Sequence, residues 1–161
     1  MAESVTYRAI AAEEYSFWLK DIENGNRYPS LTAKAQEIAE KFLKDVLDNY
    51  ALPNETNDVP EIRNALRSHN LLQIVDCIVK SGLPVTNDLQ WAVLAINGFY
   101  FTTRYPGPDY FRPNESHYLR CRDSLKTISL YVEELEAQLD KGIAPDKIVL
   151  TSNPDTPPLP V

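Results

Sequence analysis

The chain has 161 residues, 43% hydrophobic and 24% charged, with only five glycines; this fits one ordinary globular domain and excludes collagen-like or wholly disordered chains. Sixteen basic residues against 23 acidic ones leave a net charge of −7, which argues against whole-surface attraction to nucleic acid but leaves room for a local basic site. No run approaches the ~20 apolar residues of a membrane-spanning helix, and Glu3, Glu13 and Glu14 stand where a secretory signal would be basic and then apolar, so the expected location is cytoplasmic, with no membrane partner.

From Val5 to Ile22, Tyr7, Ala11, Tyr15, Trp18 and Ile22 recur at steps of three or four and predict a helix that Gly25 stops. Ser30 is placed to cap a second helix, whose apolar set runs from Leu31 through Ala35, Ile38, Ala39, Phe42, Leu43 and Val46 to Tyr50. On its other side Glu37 precedes Lys41 and Glu40 precedes Lys44 by four residues, the favourable order for helix ion pairs, which predicts a solvated face. The stretch Ala51–Pro60 reads as a loop, Glu61–Arg67 as a short helix, and Ser68-His69-Asn70 as the start of a helix through Leu71, Ile74, Val75, Ile78 and Val79 that ends at Gly82 and Pro84. Thr86-Asn87 opens the next helix, with Leu89, Ala92, Val93, Ile96, Phe99 and Tyr100 on its buried side and Gly98 as an anomaly inside it.

Three prolines make Pro106–Pro113 irregular, and Asn114 is a cap for the last helix. Its stripe of Tyr118, Cys121, Leu125, Ile128, Val132, Leu135 and Leu139 suits packing along a bundle or a dimer seam, and Gly142 closes it. The last eight residues hold four of the twelve prolines, so residues 144–161 are expected to be extended or disordered beyond a helical domain of residues 1–143. With no sustained period-two alternation, the fold class is all-α, an up-and-down bundle of four to five helices.

Chemistry is sparse. Two histidines without HExxH spacing leave no metal site, no GxGxxG or GxxxxGK[ST] loop points to a cofactor, and Cys77 and Cys121 stand singly among apolar neighbours as core residues. The exception is the window Arg104–Arg122, which holds Arg104, Arg112, Arg120 and Arg122, four of the eight arginines, and no lysine. Arginine suits a planar, bidentate grip on phosphate or carboxylate, and Phe99, Tyr100, Phe101, Tyr105, Tyr110, Phe111 and Tyr118 add rings for stacking. Aromatics filling a core edge beside surface ion pairs account for the same spacing. Arg112 precedes His117 by five residues at a helix start, where the dipole favours the neutral imidazole and an arginine could hold a phosphate, an arrangement suited to phosphodiester chemistry.

Three stretches together resemble the HEPN family of small helical nucleotide-binding domains. Ala33-Lys-Ala-Gln-Glu-Ile-Ala-Glu-Lys-Phe-Leu-Lys44 is similar to the family's AxxAQxAxEKxLKxxL helix, Ser68-His-Asn-Leu-Leu72 to its H-[ND]-L-x-x-L helix start, and Asn97-Gly-Phe-Tyr-Phe-Thr-Thr-Arg-Tyr-Pro106 to its xxYxxxRYP segment. The resemblance spans about Val5–Leu139 and implies a helical bundle that forms a homodimer, often paired with a minimal nucleotidyltransferase in toxin–antitoxin or defence systems. Some members are metal-independent endoribonucleases with an R-x4-6-H motif, which Arg112 and His117 match in spacing, although Pro113 stands where the motif's polar residue would be. Others bind without cleaving.

The RYP form, together with Leu119 where modified members carry a tyrosine, makes a non-catalytic module the leading expectation. It would bind a nucleotide, RNA phosphate or a nucleotidyltransferase partner through Arg104, Tyr105, Arg112, Arg120 and Arg122, with His69 lining the site and no cofactor. The alternatives are an endoribonuclease using Arg112 and His117, and a purely structural interaction module.

Overall fold

Helix α2, Ser30–Tyr50, runs through the centre of the molecule. In the computed structural model, which describes residues 5–99, 107–108, 110 and 112–160, α2 touches all five other helices: α1 (Tyr7–Glu23), α3 (Val59–Leu66), α4 (Leu71–Lys80), α5 (Asn87–Ile96) and α6 (Glu115–Asp140). Among the described residues there are these six helices, a 3₁₀ turn at Pro145–Lys147 and no strand. The all-α class and bundle-like packing agree with the sequence. The helix number is six against the expected four to five, a total that undercounts the segments predicted one by one; α4 and α5, separate as expected, are ten-residue helices folded back on each other where Gly82 takes a left-handed φ of +82°.

The helix starts show why these residues fold as they do. Thr6, Asp58, Asn70, Thr86 and Asn114 each cap a helix by accepting a backbone N–H of its first turn. α2 is the exception. Ser30 is its first helical residue and not its cap, and the first-turn N–H groups of Leu31 and Thr32 donate instead to the carbonyls of Tyr28 and Pro29. α3 begins at Val59, two residues ahead of the predicted start, because Asp58 followed by Pro60 in the first turn is a helix start and not the end of a loop. α5 stops at Ile96, short of its predicted reach to Tyr100: Asn97 is extended and Gly98 has a left-handed φ of +101°. The anomaly inside that helix is its terminator.

The charged side of α2 is where sequence and structure part most. Glu40 is 4% and Lys44 7% exposed, so this row is buried where a solvated face was predicted. Lys44 Nζ lies 3.4 Å from Glu40 Oε2 and His69 Nδ1 3.1 Å from the same oxygen, so the carboxylate is satisfied from two directions. Nor do Glu37 and Lys41 pair with each other as predicted: Lys41 and Lys34 both bridge to Glu14 of α1, and Glu37 meets Lys34 at 3.4 Å. Periodicity shows which residues share a face but not whether another helix covers it.

The helices alternate in direction, so their termini gather at two ends of the molecule. At one, α2 ends beside the start of α1 and the end of α6. There the Arg8 N–H donates to Asp45 Oδ1 at 3.0 Å, its guanidinium lies 3.3 Å from Glu136 Oε1, and Tyr50 donates to Asp140. Glu136 is 2% exposed, its Oε2 makes no hydrogen bond of good geometry, and burial together with the adjacent Asp45 carboxyl pushes its pKa up to about 8, Arg8 opposing. The stripe of α6 is buried within this single chain, from Tyr118 to Leu135, and Tyr131 donates to the Pro84 carbonyl at 2.7 Å. No helix among the described residues is long and apolar enough to cross a membrane.

Candidate functional site

The other end gathers the C-termini of α1 and α5 and the N-termini of α2, α4 and α6. Gln36, fully buried on α2, ties three of these elements together: its amide donates to the His69 carbonyl and accepts the Gly98 N–H at 2.9 Å. Asn97 accepts the Leu71 N–H, and Asn70 caps α4 from the neighbouring position. The Gln36–Glu40–Lys44 row, spaced by four, thus forms a polar spine leading from this junction into the bundle, with His69 at its outer side.

His117 occupies the third position of α6 and takes part in a reciprocal cap. The Asn114 side chain accepts the His117 N–H at 3.2 Å, and the Asn114 N–H donates to His117 Nδ1 at 3.0 Å. A backbone N–H can only donate, so Nδ1 must be the unprotonated ring nitrogen and the neutral ring carries its hydrogen on Nε2. In this tautomer the Nδ1 lone pair faces the cap. The ring also packs edge-on against Phe99, centroids 6.0 Å apart.

Beside this cap the structure brings cations together around Tyr118. Arg27, in the α1–α2 turn, forks onto Glu115 through Nε at 2.9 Å and Nη2 at 3.0 Å. Its guanidinium sits 5.7 Å from the Tyr118 ring centroid, within cation–π range. That fork holds the Glu115 carboxyl below its usual pKa, Arg122 adding to the effect. Burial raises the Tyr118 hydroxyl, and the nearby charges of Arg27 and Arg112 oppose the rise. Arg112 is exposed just before the cap, and Arg122 is exposed with its Nε 3.1 Å from Asp123.

Arg27 thus holds the first turn of α6, and Arg112 and Arg122 lie near enough to act on Tyr118 and Glu115 respectively through their charge. Arg120, two residues from Arg122 and so on another face of the helix, lines a separate cleft with Asp88, Trp91 and Thr156. Arg104 and Tyr105 lie outside the described residues. His69 lies on the α3–α4 side, its imidazole engaged by Glu40.

Arg27 is the residue that sequence reasoning missed, and a signal was present. The tripeptide Arg-Tyr-Pro occurs twice, at 27–29 and at 104–106. In the first copy Arg27 bridges to α6, the Tyr28 hydroxyl donates to Asp21 and Pro29 precedes α2. Next to it, between α1 and α2, opens a cleft of about 540 Å³ floored by Trp18 and Leu31 and edged by Phe17, Tyr28, Asp21 and Lys34. Phe17 is 59% exposed there.

The donor set suits anions and aromatic rings more than metals: among the described residues no three of His, Cys, Asp and Glu are grouped so as to hold an ion. Burial pushes the Cys121 thiol up to about 12 and raises Cys77 as well, so neither is poised as a nucleophile. No protein family, curated protein or solved structure matches this chain.

Proposed function

We propose that this chain is a non-catalytic binding module of the HEPN type, which takes a nucleotide or RNA phosphate at the end of the bundle where α6 begins. The observation that carries the reading is the Arg27 fork on Glu115 beside the Tyr118 ring, with Arg112 close enough for its charge to act on Tyr118 and Arg122 on Glu115. The Arg27 fork and the exposed Arg112 beside the helix start supply directional donors for phosphate oxygens, and Tyr110, 43% exposed and close enough to act on the Tyr118 hydroxyl, offers a ring for a base. Arg27 forks onto Glu115, so an incoming phosphate would compete with a carboxylate that fits the same fork.

The His117 cap favours binding over cleavage. General acid–base work needs a ring nitrogen within reach of the reacting group, and here Nδ1 faces the Asn114 N–H within the cap. Phe99 at the ring edge further fixes its orientation. In this reading His117 shapes the start of α6 and the arginines around it meet the ligand.

The test is fluorescence polarisation of a labelled single-stranded RNA 12-mer in EDTA across a salt series, with the same mixtures run on a gel. Binding without cleavage is expected, weakening steeply with salt, and Arg112→Ala should reduce the logarithmic salt slope by about 0.7, the value for one single-strand phosphate contact. Absence of binding at low salt by the folded chain would overturn the reading. Cleavage abolished by His117→Gln would replace it with the endoribonuclease.

A further inference from the structure

Residues 148–160 return from the end of α6 across the outside of the bundle, held mainly through their main chain. Val149 exchanges two hydrogen bonds with the Gln138 amide at 2.7 and 2.9 Å, and Thr151 donates its N–H and hydroxyl to Glu134. The Asn153 N–H donates to Asp88 Oδ2 at 2.7 Å. On α5, Asn87 Nδ2 donates to the Thr156 carbonyl at 3.1 Å and Trp91 Nε1 to the Pro157 carbonyl at 2.7 Å. Leu159 then shares a groove of about 270 Å³ with Leu72, Val75, Val79 and Val93, between α4 and α5.

These are the elements of peptide recognition. Asn87 and Trp91 are four apart, hence on one face of α5, and they read two successive carbonyls of a proline-containing segment. Such a segment is extended before it binds and leaves its carbonyls free, so an aromatic donor can capture it at little entropic cost. An aliphatic side chain two residues on enters the apolar groove and sets the register. Two further observations describe how the segment sits. Residues 152–160 are exposed apart from the half-buried Thr156 and Leu159, so the segment lies on the surface of the bundle, over a groove whose lining includes the core residues Val75 and Val93. With the segment in place, Leu72, Trp91 and Val79 are still 37%, 37% and 47% exposed, so the groove has apolar area that this occupant does not use.

We propose that the α4–α5 face is a binding groove for extended Thr-Pro-Pro-Leu peptides of another polypeptide, and that the chain's own residues 153–160 occupy it as an intramolecular competitor. Ligand binding at the α6 start is a separate matter, on a different surface.

The probe is a fluorescein-labelled synthetic peptide of residues 150–160, added to the full chain and followed by polarisation. Leu159→Asp weakens the internal competitor without touching the groove. Because a tethered segment acts at roughly millimolar effective concentration, the peptide should bind this variant about tenfold more tightly than the wild type if its own affinity is near 100 µM. Adding Trp91→Phe, which keeps the ring and removes the donor, should weaken binding about fivefold, and a peptide with both Pro157 and Pro158 replaced by Ala should bind less well. Circular dichroism confirms that each variant is folded.

No peptide binding by folded Leu159→Asp chain, equal binding by it and the wild type, or indifference to Trp91→Phe would each overturn the proposal. So would failure to bind free peptide combined with dimers that form by exchange of residues 148–160 between copies, which would assign the face to self-association.

Discussion

His117 illustrates how one side chain can be read correctly in position and differently in role. Its place at a helix start is legible from Asn114, a strong cap residue followed three positions later by the ring. That the ring itself closes the cap is not, because the usual residue there is Glu or Gln. The substitution that separates the roles is therefore His117→Gln, which can restore the reciprocal bond. It should leave thermal stability near wild type, whereas His117→Ala should cost about 1 kcal/mol in urea unfolding. Glu136 makes a second case, on pH. Burial pushes its carboxyl up to about 8, well above the usual carboxylate range, so the neutral form is the one the fold favours. Stability from this group is complete below pH ~4.5 and declines as pH rises towards 8. Glu136→Gln removes that decline: urea titrations should show little change at pH 5 and a gain on the order of 1–3 kcal/mol at pH 8.5, the lost Arg8 contact offsetting part of the shift. A variant less stable than wild type at pH 8.5 would mean that the Arg8 ion pair dominates.

At the scale of elements, α2 was the clearest helix in the sequence and also the one whose surroundings were least visible there. Its apolar stripe is evident from Leu31 to Val46, but burial of Glu40 and Lys44 depends on α4 and His69 arriving from more than 25 residues away. The consequence is energetic. Glu40→Ala leaves Lys44 buried without its carboxylate and should destabilise by roughly 3 kcal/mol, while the double change Glu40→Leu with Lys44→Met should recover most of the loss, since removing both charges also removes their desolvation cost. Chemical denaturation of Glu40→Leu, Lys44→Met and the double variant closes that cycle. Similar limits apply to the candidate site. The arginine-rich window was legible as a cluster in sequence, but helix periodicity separates Arg120 from Arg122, and Arg27 joins from 85 residues before Arg112 because the α1–α2 turn folds against α6. Gly98 and Pro60 were seen as punctuation, and only the helix geometry showed on which side of the boundary each falls.

For the molecule as a whole, the two cysteines report on how cooperatively the bundle holds together. Cys121 lies on the central face of α6 at 0% exposure and Cys77 on α4 at 5%, with both thiols kept protonated by burial. A thiol reagent such as Ellman's should therefore label neither at an appreciable rate in the native state and both in urea, and the rate for Cys121 at intermediate urea should follow global unfolding. Faster labelling of Cys77 alone would show that the α3–α4 side opens before the rest. The position of α2 carries a larger consequence. Every other helix rests on it, so a cut in the loop of residues 51–58 would leave one fragment in which α2 keeps only α1 and another in which α3 to α6 lack the helix they all pack against. Neither piece could close an interior alone, yet each has the shape the other lacks: the chain is in effect a two-part assembly whose halves are joined by a tether, with their mutual specificity written almost entirely in one helix.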